Sequence, residues 1–186
     1  MKKIIFILLF IPVFISAQNF SYGFDAEVNY IRVNNGSNSN VLPYETLLPV
    51  TLNIIFSYNM NNRFSLRTRA GQTIFSSEFT GFEFGFDGVY KLNKEFYFSA
   101  GILHHSNIGN GDSSIHDRDT YTALYMLNAR FGYNIFNNFA LEVGYYYPLK
   151  KTTIVSYNSD IPLKAYYLLY NFAYMLRLNF VFNWPI

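Results

Sequence analysis

Three shortages limit what this chain can be: cysteine, charge and long apolar runs. None of the 186 residues is cysteine, so a disulfide scaffold and a cysteine-ligated metal site are excluded. Only 14% of the residues are charged, and no cluster of lysine and arginine marks a surface for nucleic acid. Beyond the N-terminus, no apolar run approaches the roughly 20 residues that a membrane-spanning helix needs.

The first 17 residues have the layout of a secretory signal peptide. Lys2 and Lys3 precede an uncharged run over residues 4–15, and Ser16 and Ala17 supply small side chains before a cleavage point. The run is too short to cross a bilayer as a helix. Without Lys2 and Lys3 the chain carries 12 basic and 12 acidic residues. We therefore expect a signal peptide over residues 1–17 and one exported domain over residues 18–186.

Aromatic residues are abundant, with 20 Phe, 17 Tyr and 1 Trp. Hydrophobic residues make up 51% of the chain and are interleaved with polar residues at alternate positions. This period of two is typical of strands with one apolar and one polar face. Alternating segments rich in Tyr and Phe indicate a transmembrane β-barrel with aromatic girdles at the membrane interfaces.

Eight segments alternate in this way, and they predict the strands. The segments cover residues 20–32, 48–58, 63–74, 82–90, 96–107, 119–133, 139–147 and 164–182. The first half of the last segment alternates least clearly, and a helix is the alternative there. Short Asn-rich connections alternate with mostly longer ones, as the periplasmic turns and external loops of outer-membrane barrels do. We predict an all-β fold, an eight-stranded antiparallel transmembrane β-barrel of the outer-membrane type.

Charges of both signs fall on the polar faces of these segments. They are Asp25, Glu27, Glu83, Asp87, Glu142, Arg63, Arg67, Arg69, Arg130 and Arg177. The interior of an eight-stranded barrel is filled by side chains, and opposite charges packed there can pair. His105 falls on the same inward face, and we expect it to form hydrogen bonds in the interior. A filled interior disfavours a porin function.

A candidate site lies at the end of the fifth segment, Phe96–Asn107. His104 and Ser106 lie two residues apart on its apolar face, where polar groups are costly. Asp119 has the matching phase on the sixth segment, and we predict it opposite Ser106. A slip of two residues would place Asp117 opposite Ser106, or Asp119 opposite His104. A serine, a histidine and a carboxylate that meet in this way suit nucleophilic catalysis, since serine needs a base and the base needs an orienting group.

The run His104-His105-Ser106-Asn107 resembles a known motif. It is similar to the His-x-Ser-Asn active-site motif of outer-membrane lipid A 3-O-deacylases, which are eight-stranded barrels with Ser, His and an acidic residue on the lipid-facing wall. It is also similar to the motif of outer-membrane phospholipase A, a calcium-dependent barrel of twelve strands. The predicted strand count favours the deacylase. The acid of the deacylases is typically Glu, whereas this chain offers aspartate.

The resemblance implies ester hydrolysis on lipid A in the outer leaflet of a bacterial outer membrane. Ser106 would be the nucleophile and His104 the base, with Asp119 or Asp117 as the third member. Asn107 and loop amides such as that of Gly109 would form the oxyanion hole. We expect lipid A, or lipopolysaccharide, as the partner, with no cofactor, no metal and a monomer as the favoured state.

Two other interpretations remain at this point. His104 and Ser106 can be inert rim residues of a non-enzymatic barrel, whose loops over residues 34–47 and 148–163 bind a partner or stiffen the membrane. A phospholipase would need calcium, and dimerisation to complete the cation site. His116 lies near two aspartates in the loop after Asn107, which makes at best a weak metal site.

Overall fold

A computed structural model of the chain describes residues 19–35, 46–74, 79–107, 123–150, 153–158 and 166–186. The predicted signal peptide lies outside the described residues, and so do Gly109, His116, Asp117 and Asp119. Within the described part, no helix is long and apolar enough to cross a membrane.

The described residues form a closed antiparallel sheet. Its strands are β1 (Phe20–Asn35), β2 (Thr46–Leu47), β3 (Val50–Asn59), β4 (Phe64–Ile74), β5 (Gly81–Lys91), β6 (Phe96–Asn107), β7 (Ala123–Phe136), β8 (Phe139–Pro148), β9 (Thr153–Asn158) and β10 (Tyr166–Pro185). Eight long strands pair with their neighbours in chain order, and β1 also pairs with β10, which closes the barrel. The predicted eight-stranded antiparallel barrel is therefore confirmed, and the helical alternative for the last segment is excluded.

The short strand β2 continues the ladder of β3 beyond a break at Leu48 and Pro49. Val28 lies opposite Val50, and Ile31 lies opposite Leu47, which is the same register on both sides of the break. Proline has no backbone N–H to donate, so it interrupts a ladder. The Pro49 carbonyl still accepts a hydrogen bond from the Asn29 N–H at 2.9 Å. The strand predicted over residues 48–58 thus begins at Val50, and the proline separates it from β2, which lies within the predicted loop over residues 34–47.

A bulge in β10 reverses the predicted phase at its outer end. Arg32 lies opposite Tyr174, but Val33 lies opposite Phe172, so Ala173 is an extra residue in the ladder. Phe172 is consequently buried, with 3% of its surface exposed. The prediction that Phe172 shares the outward face with Tyr174 is wrong, because the alternation of a strand does not continue through a bulge.

The interior has three layers. One apolar cluster lies towards the strand ends that the predicted external loops connect. It contains Ile31, Phe79, Leu103, Leu124, Met126, Tyr146, Phe172 and Met175. A second apolar cluster near the short turns contains Ile55, Val89, Tyr97, Ala140 and Val181. Buried charges lie between and alongside them, and nine of the ten predicted charges are inside. Arg63 is the exception.

Arg63 is exposed in the turn that precedes β4. The Asn61 side-chain oxygen accepts hydrogen bonds from the N–H groups of Arg63 and Phe64, at 2.9 and 2.8 Å. Asparagine commonly ends a strand in this way. The alternation therefore begins at Phe64, and the prediction that Arg63 points inward is wrong.

The outer surface of the barrel is apolar over most strands. Its large exposed side chains include Phe24, Leu52, Ile54, Phe56, Phe82, Phe84, Phe86, Ile102, Leu127, Phe131, Val143 and Leu178. An apolar surface of this extent on all sides of a barrel is the surface that a bilayer covers. The polar residues on that surface are accordingly the candidates for function.

Candidate functional site

The alternation of β6 places His104 and Ser106 on the lipid-facing side. Ile102 is 56% exposed, whereas Leu103 and His105 are 2% and 0% exposed. His104 and Ser106 share the phase of Ile102 and are half-exposed. The predicted outward orientation of both residues is therefore confirmed.

Apolar and aromatic residues flank the pair on both neighbouring strands. His104 lies between Phe84 of β5 and Tyr125 of β7, and its imidazole is 4.8 Å from the Tyr125 ring at an angle of 43°. Ser106 lies between Phe82 and Ala123 in the same two strands. Side chains directly opposite each other have Cβ atoms about 5 Å apart. The pair is thus a small polar site on an apolar wall.

One nitrogen of His104 has no hydrogen-bond partner among the described residues. Nδ1 is buried, and no donor or acceptor among the described residues reaches it. A buried ring nitrogen without a partner is costly, and buried polar groups are normally paired. In a serine triad the carboxylate binds Nδ1 while Nε2 faces the serine. No hydrogen bond joins His104 to Ser106 within the described part.

The predicted pairing of Ser106 with Asp119 is wrong. Ser106 lies opposite Ala123, which is the first residue of β7, four residues further along the chain than Asp119. The even offset keeps Ala123 and Asp119 in the same phase, so alternation could not distinguish the two registers. Asp119 and Asp117 lie outside the described residues, and their catalytic roles stay predictions.

The structure describes the predicted oxyanion-hole residues only in part. Asn107 is the last residue of β6 and lies opposite Gly81 of β5. Its side chain lies outside the described part, as does the whole of Gly109. No group of three or more His, Cys, Asp or Glu side chains that could hold a metal ion occurs among the residues described.

His105 anchors the inner side of the same strand. Its Nδ1 lies 2.9 Å from Glu83 Oε1, and Glu83 in turn accepts hydrogen bonds from Arg177 at 2.6 and 2.8 Å. The imidazole stacks on the Phe79 ring at 3.9 Å, with 4° between the planes. The predicted interior hydrogen bonding of His105 is confirmed. Because these contacts hold His105 inside, its neighbours His104 and Ser106 are held outside.

The position of Phe79 was missed by sequence reasoning. It precedes β5 in a connection predicted over residues 75–81, yet its side chain is fully buried against His105 and Phe172. The only sequence signal is an aromatic residue within a polar connection. Such a residue has no alternation to assign it to a face, so its burial depends on the folded barrel.

Solved barrel structures resemble this chain, whereas no protein-family model and no curated protein sequence matches it significantly. Neisserial surface protein A is 11% identical with a TM-score of 0.52, over 90% of this chain and 97% of that chain. The N-terminal β-barrel domain of Pseudomonas aeruginosa OprF is 17% identical with a TM-score of 0.46, over 90% of this chain and 98% of that domain. The first likeness supports the fold of an outer-membrane barrel. At these identities neither bears on the His-x-Ser-Asn motif.

Proposed function

We propose that this barrel is an outer-membrane serine esterase that removes an ester-linked acyl chain from lipid A. The observation that carries the proposal is a histidine and a serine side by side on a lipid-facing strand, with a buried His104 Nδ1 that has no partner among the described residues. The other outward residues of β6 are Phe96, Phe98, Ala100 and Ile102, all of which suit lipid. A polar pair in that setting suits chemistry on a lipid ester.

The residues have distinct roles in the proposed reaction. Ser106 Oγ attacks the ester carbonyl carbon while His104 takes the hydroxyl proton. The acyl chain is then bonded to Ser106, and the lipid hydroxyl leaves with the proton that His104 returns. Water, activated by His104, hydrolyses the acyl-enzyme and releases the fatty acid. Asp119, or alternatively Asp117, orients His104 through Nδ1.

The negative charge that develops on the carbonyl oxygen needs donors. Asn107 and the amide of Gly109 fill this role in the proposal, by the resemblance to the deacylase motif. One such donor is worth about 3 kcal/mol of transition-state stabilisation. Phe82 and Phe84 flank the pair on β5 and offer an apolar surface along which the cleaved acyl chain can lie.

The orientation of the barrel in the membrane decides which leaflet, and therefore which lipid, the proposed active site faces. Short turns connect β3 to β4, β5 to β6 and β7 to β8 at one end, whereas the pair lies at the opposite end of β6. In outer-membrane barrels the end with short turns is periplasmic. The proposed active site then lies in the external leaflet, where lipid A is its partner, and a single chain supplies every residue of the reaction.

The decisive change is Ser106→Ala. In cells that express the wild-type barrel we expect lipid A to lose one acyl chain, and with Ser106→Ala we expect full acylation, since the variant lacks the proposed nucleophile. Mass spectrometry of extracted lipid A gives both results. Thr68→Ala is the matched control, because Thr68 is another outward hydroxyl but lies on β4, away from His104. It should leave deacylation unchanged.

Two results would contradict the proposal: unchanged lipid A with the wild-type barrel present in the outer membrane, or equal deacylation by wild type and Ser106→Ala. The first result would favour a non-enzymatic barrel, whereas the second would show that Ser106 is not the nucleophile. Separate Asp119→Asn and Asp117→Asn variants identify the third member, since only the orienting carboxylate should be needed for normal turnover.

A further inference from the structure

A cavity lined by both polar and apolar side chains opens at the end of the barrel opposite to His104. It has a volume of about 300 Å³ and is lined by side chains near the short turns, including Ser21, Asn59, Arg67, Lys91, Asn134 and Asn183. At about 30 Å³ for each water molecule, the space corresponds to roughly ten waters. It can therefore admit a small organic molecule.

The lining is rich in amides and hydroxyls and has a positive balance. It contains five asparagines, three serines, Arg67 and Lys91, and no Asp or Glu among the described residues that form it. Amide and hydroxyl groups both donate and accept hydrogen bonds, whereas the two cations only donate. The cavity therefore favours a ligand that combines a negative group with several hydroxyls.

Arg67 forms a fixed floor for the cavity. It is 7% exposed, it is ion-paired with Glu142, and its guanidinium lies 5.5 Å from the centre of the Tyr97 ring. Tyr97 also donates a hydrogen bond to Glu142 at 2.7 Å. A guanidinium has five N–H donors, and the contact with Glu142 uses Nη1. A held arginine of this kind suits a carboxylate, since little side-chain entropy remains to be lost on binding.

Lys91 and Asn183 extend the site beyond its floor. Within the described part of the chain, no carboxylate lies within ion-pair distance of the Lys91 ammonium, although Lys91 lines the cavity. Asn183 donates from Nδ2 to Ser21 Oγ at 3.2 Å, while its buried Oδ1 has no partner among the described residues.

We propose that this cavity is a binding site for a small polyhydroxy carboxylate. Arg67 and Lys91 bind the carboxylate, and the asparagine and serine side chains bind the hydroxyls. The site faces the compartment on the side of the short turns and shares no residue with the lipid-facing pair. The proposed binding site can therefore be tested independently of the proposed esterase activity.

The test uses two ligands that differ in charge and two variants that remove the same charge. Gluconate is the carboxylate probe, and sorbitol is its neutral counterpart with the same carbon chain. The variants are Lys91→Gln, which removes a cation from the cavity lining, and Lys94→Gln, which removes an exposed cation from the same turn outside the lining. The full-length barrel, folded in neutral detergent micelles, is titrated calorimetrically with each ligand.

We expect gluconate to bind the wild-type barrel and sorbitol to bind far more weakly. Lys91→Gln should weaken gluconate binding about tenfold, because one charge-assisted hydrogen bond is lost. Lys94→Gln should leave the affinity within about twofold of wild type, since exposed charges act weakly at a distance. The proposal is overturned if gluconate in large excess produces no heat of binding, if sorbitol binds equally well, or if both lysine variants weaken binding alike.

Discussion

At the scale of single residues, the close approach of Tyr97 to residue 132 requires glycine at that position. A Cβ atom at position 132 would lie 2.1 Å from Cζ of the Tyr97 ring. The ring crosses the barrel at this point, and its hydroxyl reaches Glu142 on β8 at 2.7 Å. Only glycine leaves room for the ring, which is why strand interiors sometimes carry a residue that otherwise weakens them.

Gly132→Ala should therefore destabilise the barrel. Because the ring is held by Glu142 and by neighbouring strands, overpacking here should lower the free energy of unfolding by about 2 kcal/mol. Gly88→Ala is the control, since its Cβ would meet the Phe64 ring at 3.3 Å, and that ring can shift. Urea unfolding in lipid vesicles measures both values. Equal stability of the two variants would contradict the proposed role of Gly132.

At the scale of elements, β10 shows how a strand changes faces. The bulge at Ala173 lets Phe172 enter the interior while Tyr174 and Leu176 stay on the outer side. Inside, the Phe172 ring lies 6.0 Å from that of Phe79, which stacks on His105. The bulge thus supplies one of the aromatic rings that close the barrel next to the candidate site.

Phe172→Ala tests this assignment. A phenylalanine removed from a buried cluster leaves a cavity, and we expect a loss of about 3 kcal/mol in the free energy of unfolding. Leu178→Ala, on the outward face of the same strand, should cost clearly less, since Leu178 is 41% exposed. Both are measured by urea unfolding in vesicles. If Phe172 pointed outward, as the alternation of the sequence predicts, the two variants would lose similar amounts of unfolding free energy.

At the scale of the whole molecule, buried ion pairs link strands across the barrel. Glu27 of β1 pairs with Arg69 of β4, at 2.6 Å, and with Arg177 of β10. Glu142 of β8 pairs with Arg67 and with Arg130, the latter at 2.7 Å. Glu27 and Glu142 thus each bridge two arginines, so these desolvated charges are compensated by partners from distant parts of the chain. Together with the two apolar clusters, this network occupies most of the interior, and a cavity remains near the short turns.

A filled interior predicts that the barrel does not conduct ions. Purified wild-type protein in planar lipid bilayers should give no steady stepwise currents, since two apolar clusters and the buried ion pairs occupy the interior among the described residues. Bilayers with unfolded protein provide the baseline. Stepwise currents that grow with the amount of folded protein would show that the interior opens, and would contradict the closed arrangement.

The sequence alone determined the face of nearly every strand residue. Period-two alternation correctly placed His104 and Ser106 outside and His105 inside, and nine of the ten charged residues that it assigned to the interior lie there. These assignments succeed because side chains of a strand alternate by geometry, and a membrane barrel sorts them into lipid and interior. The half of the candidate site on β6 could therefore be predicted without a structure.

Only the tertiary structure decided which residues meet across strands. Ser106 lies opposite Ala123 rather than Asp119, and Phe172 enters the interior through a bulge. Phe79, from a connection without alternation, covers His105. Alternation has a period of two, so it excludes odd shifts of register but cannot distinguish registers that differ by an even number of residues. Register depends on where turns, prolines and bulges let the ladders close around the whole barrel, and that is a property of all eight long strands together.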